Sequence, residues 1–73
     1  MKIYFDVKDR SYTADIVVEP EGEGYHAFCS ELKIDVCGKT ESVAIDNAFS
    51  ATEDRVRWLV RHDKSVPLPY EPI

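Results

Sequence analysis

The chain has 73 residues, 44% of them apolar, which leaves room for one small domain with a modest core and for no second domain. Nine basic against fourteen acidic residues give a net charge of −5, which argues against a protein that binds nucleic acid by neutralising phosphates and favours a basic partner. A lone core of this size supplies only about 3–5 kcal/mol, so homo-oligomerisation or partner binding is expected.

From Lys2 to Val7, apolar Ile3, Phe5 and Val7 alternate with Lys2, Tyr4 and Asp6, the period of a strand with one buried face. Lys8 to Ser11 reads as a turn. Alternation resumes through Tyr12, Ala14, Ile16 and Val18, and Glu19-Pro20-Glu21-Gly22-Glu23-Gly24 reads as a second, longer loop. Strands over Tyr25 to Cys29 and Lys33 to Cys37 follow. Hairpin registers pairing Val7 with Tyr12, Val18 with Tyr25 and Cys29 with Ile34 collect Ile3, Phe5, Val7, Tyr12, Ala14, Ile16, Val18, Tyr25, Ala27, Cys29, Ile34 and Val36 on one face. No charge falls among them.

The stretch Gly38-Lys39-Thr40 has the ending of a phosphate-binding P-loop, but the glycine needed five positions earlier is Lys33. A structural reading replaces it: Gly38 ends a strand and the Thr40 hydroxyl caps a helix running from about Glu41 to about His62. Ile45, Ala48, Phe49, Thr52, Val56, Leu59 and Val60 form the stripe that covers the sheet. Glu53 and Arg57 are spaced as a solvated ion pair. Residues 65–73 hold three of the four prolines and form an extended tail, either packed over the body or disordered. The expected fold is α+β, a single domain over residues 1–73, with a four-stranded antiparallel meander sheet and one long C-terminal helix packed on one face.

Two cysteines, Cys29 and Cys37, with no CxxC, no signal peptide and no long apolar run, point to a reduced, cytoplasmic protein away from the membrane. His26 and Cys37 fall opposite each other on the outer face. A catalytic dyad would also need a pocket and an oxyanion site that a flat sheet does not offer, and a zinc site would need further ligands. The chain is therefore read as neither an enzyme nor a metal or cofactor protein. Asp15 and Asp35 stand two strands apart, too far to share a metal ion.

The order of Glu19-Pro20-Glu21-Gly22-Glu23-Gly24-Tyr25-His26-Ala27, Glu31-Leu32, Gly38-Lys39-Thr40 with Ala44 and Asn47, and Val66-Pro67-Leu68-Pro69 resembles the HicB-like antitoxin family over about residues 12 to 69. The resemblance implies a partial ribonuclease H-like fold and an antitoxin that binds and occludes a small basic ribonuclease toxin of the HicA type. Many members carry a C-terminal DNA-binding module. The chain ends at Ile73 before one could begin, so direct nucleic-acid binding is not expected.

The expected partner surface is the outer face, with Tyr4, Asp15, Phe28 and Asp35 in one row making contact and Glu19, Glu21 and Glu23 steering a cationic protein toward it. The plain alternative is a solvent-facing sheet or a homodimer seam, in a homo-oligomeric structural or small-ligand-binding module with no toxin. Trp58, on a helix flank with Ala44, Ala51, Arg55 and His62, marks a groove for the tail or for another chain.

Overall fold

The computed structural model describes residues 1–73 and contains six strands and one helix: β1 (Lys2–Val7), β2 (Arg10–Asp15), β3 (Val17–Glu21), β4 (Gly24–Cys29), β5 (Ile34–Gly38), α1 (Glu41–Arg61) and β6 (Tyr70–Pro72). The strands form two three-stranded antiparallel sheets, in the orders β1-β2-β6 and β3-β4-β5. The expected single four-stranded meander is therefore corrected. The second strand runs on to Glu21, is interrupted at Ile16, and gives its two halves to different sheets.

Tight turns are the reason. Val7 pairs with Arg10 and not Tyr12, so the β1–β2 hairpin closes through Lys8 and Asp9 alone, with Lys8 at φ +57°. Glu21 pairs with Gly24, and Val18 with Ala27 in place of Tyr25, so the second hairpin closes through Gly22 and Glu23, with Gly22 at φ +59°. Short hairpin loops of this kind require a positive φ, which glycine adopts freely and lysine only at a cost. Pro20 is accommodated inside β3 because the strand pairs on one side only, with β4, and a proline lacking its N–H is tolerated on an edge. With Val17 paired to Phe28, β4 reaches its end beside Ile16 and has no residues left to pair with β2. β6 takes that edge of β2 instead, with Arg10 opposite Pro72 and Tyr12 opposite Tyr70. The third register, Cys29 with Ile34, is as expected.

Both register differences are of two residues, so every side chain stays on its expected face. Ile3, Phe5, Val7, Tyr12, Ala14, Ile16, Ala27, Cys29 and Ile34 are buried, and Val18, Tyr25 and Val36 are half-buried against them. Leu32 and Leu68, which no periodic pattern assigns, complete the core.

The helix buries Ala44, Ala48, Thr52 and Val56, spaced four apart, while Ile45, Phe49, Leu59 and Val60 are half-buried beside that ridge. Ala44 thus belongs to the core and not to the Trp58 flank. Its small side chain lets the helix start directly on β5, where a Cβ on Gly38 would lie 2.5 Å from the Ala44 backbone nitrogen. Thr40 caps the helix by accepting a hydrogen bond from the Val43 N–H at 3.2 Å. Asn47 donates to the Cys37 carbonyl at 3.0 Å and Arg55 to the Leu32 carbonyl at 3.2 Å, fixing α1 to β5 and to the turn before it. Glu53 and Arg57 pair at 3.4 Å on the exposed side. Two buried hydroxyls, on Tyr12 and Thr52, have no hydrogen-bond partner.

Candidate functional site

Side chains alternate sides along a strand, so residues opposite in parity to the core project from the uncovered side of each sheet. On β3-β4-β5 two rows result: Val17, Phe28 and Asp35, and Glu19, His26 and Cys37. Their centre is a stack of the His26 ring on Phe28, with centroids 5.2 Å apart and planes at 29°. His26 Nε2 hydrogen-bonds Asp35, while Nδ1 lies 3.6 Å from a Glu19 carboxylate oxygen and 3.5 Å from one of Glu21. The hydrogen bond to Asp35 does most to raise the His26 pKa above the ordinary imidazole value; partial desolvation opposes it, and Glu19 and Glu21 reinforce it.

The His26 side chain is only 19% exposed, whereas those of Glu19, Glu21 and Asp35 are 55%, 69% and 72% exposed. The face is thus an aromatic stack with a guarded imidazole, ringed by three well-hydrated carboxylates. Val17, 45% exposed, extends its apolar part. A shallow groove of about 430 Å³ beside the stack is lined by His26, Phe28, Lys33 and Asp35 among others.

The expected row is corrected at one end. Tyr4 stands opposite Thr13 and not Asp15, on the sheet that does not contain Phe28. Asp15 keeps the outward parity of Val17 but lies across the break at Ile16, opposite Lys2 and 3.7 Å from the N-terminal ammonium group. Phe28 and Asp35 are cross-strand neighbours as expected. Glu23 sits at the hairpin tip beside Gly22, away from the His26 ring.

Sequence reasoning missed that Glu19 and Glu21 are strand residues facing His26, because Pro20 and the following glycines read as a loop. The available signal was the outward parity of Asp15, Val17, Glu19 and Glu21, which continues unbroken up to Gly22.

His26 and Cys37 are directly opposite, but the imidazole nitrogens are engaged by carboxylates and none by the thiol. Burial pushes the Cys29 thiol pKa up, which makes it less reactive. No group of three or more His, Cys, Asp or Glu side chains is arranged to hold a metal ion.

On the helix, Trp58 is 45% exposed and stacks on His62 at 4.0 Å, with the His62 Nδ1–H donating to the Trp58 carbonyl at 2.8 Å. Ala51 is half-buried nearby in sequence. The tail docks elsewhere. Tyr70 packs on Tyr12 at 5.7 Å and under the Arg10 guanidinium at 4.4 Å, and Thr13 donates to the Pro69 carbonyl at 3.0 Å. No helix of the chain is both long and apolar enough to cross a membrane. Compared with protein-family models, curated proteins and solved structures, the chain matches none.

Proposed function

We propose that the protein is a binding module of the HicB-like antitoxin kind, which occludes a small basic ribonuclease and performs no chemistry of its own. The observation that carries this reading is the uncovered face of β3-β4-β5, where Phe28 and His26 stack inside a ring of Glu19, Glu21 and Asp35. An RNA-stacking surface would flank its rings with lysine and arginine; carboxylates around a ring suit a cationic protein. Glu19, Glu21 and Glu23 accelerate encounter by steering, and Phe28 with Val17 supplies the apolar contact that slows dissociation.

The test is to express the gene with its immediate neighbours and identify what co-purifies. A basic protein of similar size in equimolar amount is the expected result. Against that partner, Phe28→Ala and Asp35→Lys should each raise the dissociation rate while leaving the circular dichroism spectrum unchanged. Absence of any such partner, or binding indifferent to both substitutions, overturns the reading.

A second reading, a homo-oligomeric module, is favoured by one separate observation: β1 is an edge strand with nothing paired along its outer side.

A further inference from the structure

The free edge of β1 has a definite hydrogen-bonding pattern. Met1 and Ile16 exchange both backbone bonds, N–H of Ile16 to Met1 at 2.7 Å and the Met1 ammonium to Ile16 at 2.6 Å. In an antiparallel ladder such doubly bonded pairs alternate with unbonded ones, so Ile3 with Ala14, Phe5 with Tyr12 and Val7 with Arg10 belong to the same bonded class. The backbone groups of Lys2, Tyr4 and Asp6 therefore face away from β2 and are unpaired along the outer edge.

One antiparallel self-pairing uses all three. It is centred on Tyr4, with Tyr4 opposite Tyr4 of a second copy and Lys2 opposite Asp6 of that copy, twice by symmetry. We propose that the protein forms a two-fold dimer through this β1–β1 register, joining the two β1-β2-β6 sheets into one continuous sheet.

Three features that play no part in deriving the register agree with it. Lys2 and Asp6 become cross-strand ion pairs, whereas a register moved by one bonded pair sets Lys2 against Tyr4. Tyr4, 65% exposed in the single chain, gains a ring neighbour on the two-fold axis. Met1, 57% exposed, has core-facing parity and falls opposite Val7 of the second copy. There a groove of about 400 Å³, lined by Val7 and Val60 with Asp6, Lys8, Arg57 and Arg61, runs between the strand and the helix. A long edge strand of Ile, Tyr, Phe and Val, with no proline or bulge to protect it, is otherwise an aggregation hazard, and closed two-fold pairing removes it. The surface lies on a different sheet from the open face of β3-β4-β5, so the dimer stands or falls independently of the antitoxin reading.

Light scattering and sedimentation over a concentration series test it. The wild type should show twice the 8.4 kDa chain mass, dissociating on dilution. Asp6→Lys and Lys2→Glu, each setting two like-charged pairs face to face, should each weaken the dimer about tenfold, and the double variant should recover most of that loss. Tyr4→Pro, which removes the central outward N–H, should give monomers. Should that variant not fold, the charge variants decide alone. A wild type of 8.4 kDa at every concentration overturns the proposal, as does a dimer indifferent to the single charge changes or one not rescued by the double change.

Discussion

The two sheets are built from one long strand and use it in opposite ways. In β1-β2-β6 the strand lies in the centre, covered on both edges, and its buried Tyr12 packs between Phe5 at 5.9 Å and Tyr70 at 5.7 Å. In β3-β4-β5 the same strand is at the edge, β4 is central, and the distinctive chemistry lies on the uncovered side around His26 and Phe28. The first sheet centres on a buried aromatic stack and offers a backbone edge. The second offers a face. A strand that changes partners partway lets a chain of 73 residues keep these two surfaces apart.

Substitutions should separate the two roles. The largest expected effect is at the centre of the first sheet: Tyr12→Ala should cost about 3–5 kcal/mol, enough to bring the chain close to unfolding, as read from urea denaturation. Tyr12→Phe should cost far less, because it keeps the buried ring and removes only the hydroxyl beside the Arg10 guanidinium. Equal losses from both variants would show that the hydroxyl, and not the ring, matters.

At the junction of the second sheet with the helix, Gly38→Ala forces a methyl group against the Ala44 backbone nitrogen, 2.5 Å away, and should cost about 1–3 kcal/mol. Hydrogen exchange should then accelerate first at the start of α1 and in β5, sooner than in β1 and β2. Uniform acceleration would mean that the two sheets unfold as one unit.

Thr52 lies in the buried ridge of the helix, and its hydroxyl has no hydrogen-bond partner. Thr52→Val keeps the shape and removes the desolvated group, so a gain of about 1 kcal/mol is expected, a rise of roughly 4–8 °C in Tm for a domain of this size. A lower Tm would mean that the hydroxyl is satisfied in solution.

The smallest effect is the pH response of the open face. The His26 pKa is raised in the folded chain by Asp35, with Glu19 and Glu21. The stabilisation is therefore fully present below the unfolded histidine value of about 6.5 and is lost as pH rises through the higher folded value. Replacing His26 with Gln should flatten that part of the stability profile, measured by urea midpoints from about pH 5 to 9. Protonated His26 also removes one unit of negative charge from the face, so affinity for a cationic partner should fall toward acidic pH. A wild-type profile that matches the His26→Gln variant would mean that the carboxylates do not hold the imidazole in solution.

Much of the site was legible because strand parity is a local property. Phe28, Asp35, His26 and Cys37 were placed together on the outer face, and their pairings hold, since the β4–β5 register was inferred correctly. Tyr4 and Asp15 were misaligned by two residues because the first hairpin closes through a non-glycine residue, Lys8, at positive φ, which composition does not announce. Glu19 and Glu21 read as loop in the sequence because Pro20 ordinarily ends a strand, and only the absence of a neighbour on that edge allows β3 to continue through it. Phe49 belongs to the expected helix stripe but is half-buried at the side of its buried centre. The four-residue ridge of Ala44, Ala48, Thr52 and Val56 took that position because small side chains admit the close approach that Gly38 permits.

From the amino-acid sequence alone came the sorting of side chains into an inner and an outer set, the helix and its Thr40 cap, and the acidic character of the chain. These depend on periodicity and on neighbours in the chain, and a two-residue register change leaves them intact. Tertiary structure alone decided which edges are filled: β4 ends beside Ile16, β2 is left open on that side, and the tail from Tyr70 closes it. That outcome is a competition among distant segments for the same backbone hydrogen bonds, and each segment's own pattern is satisfied whichever of them wins.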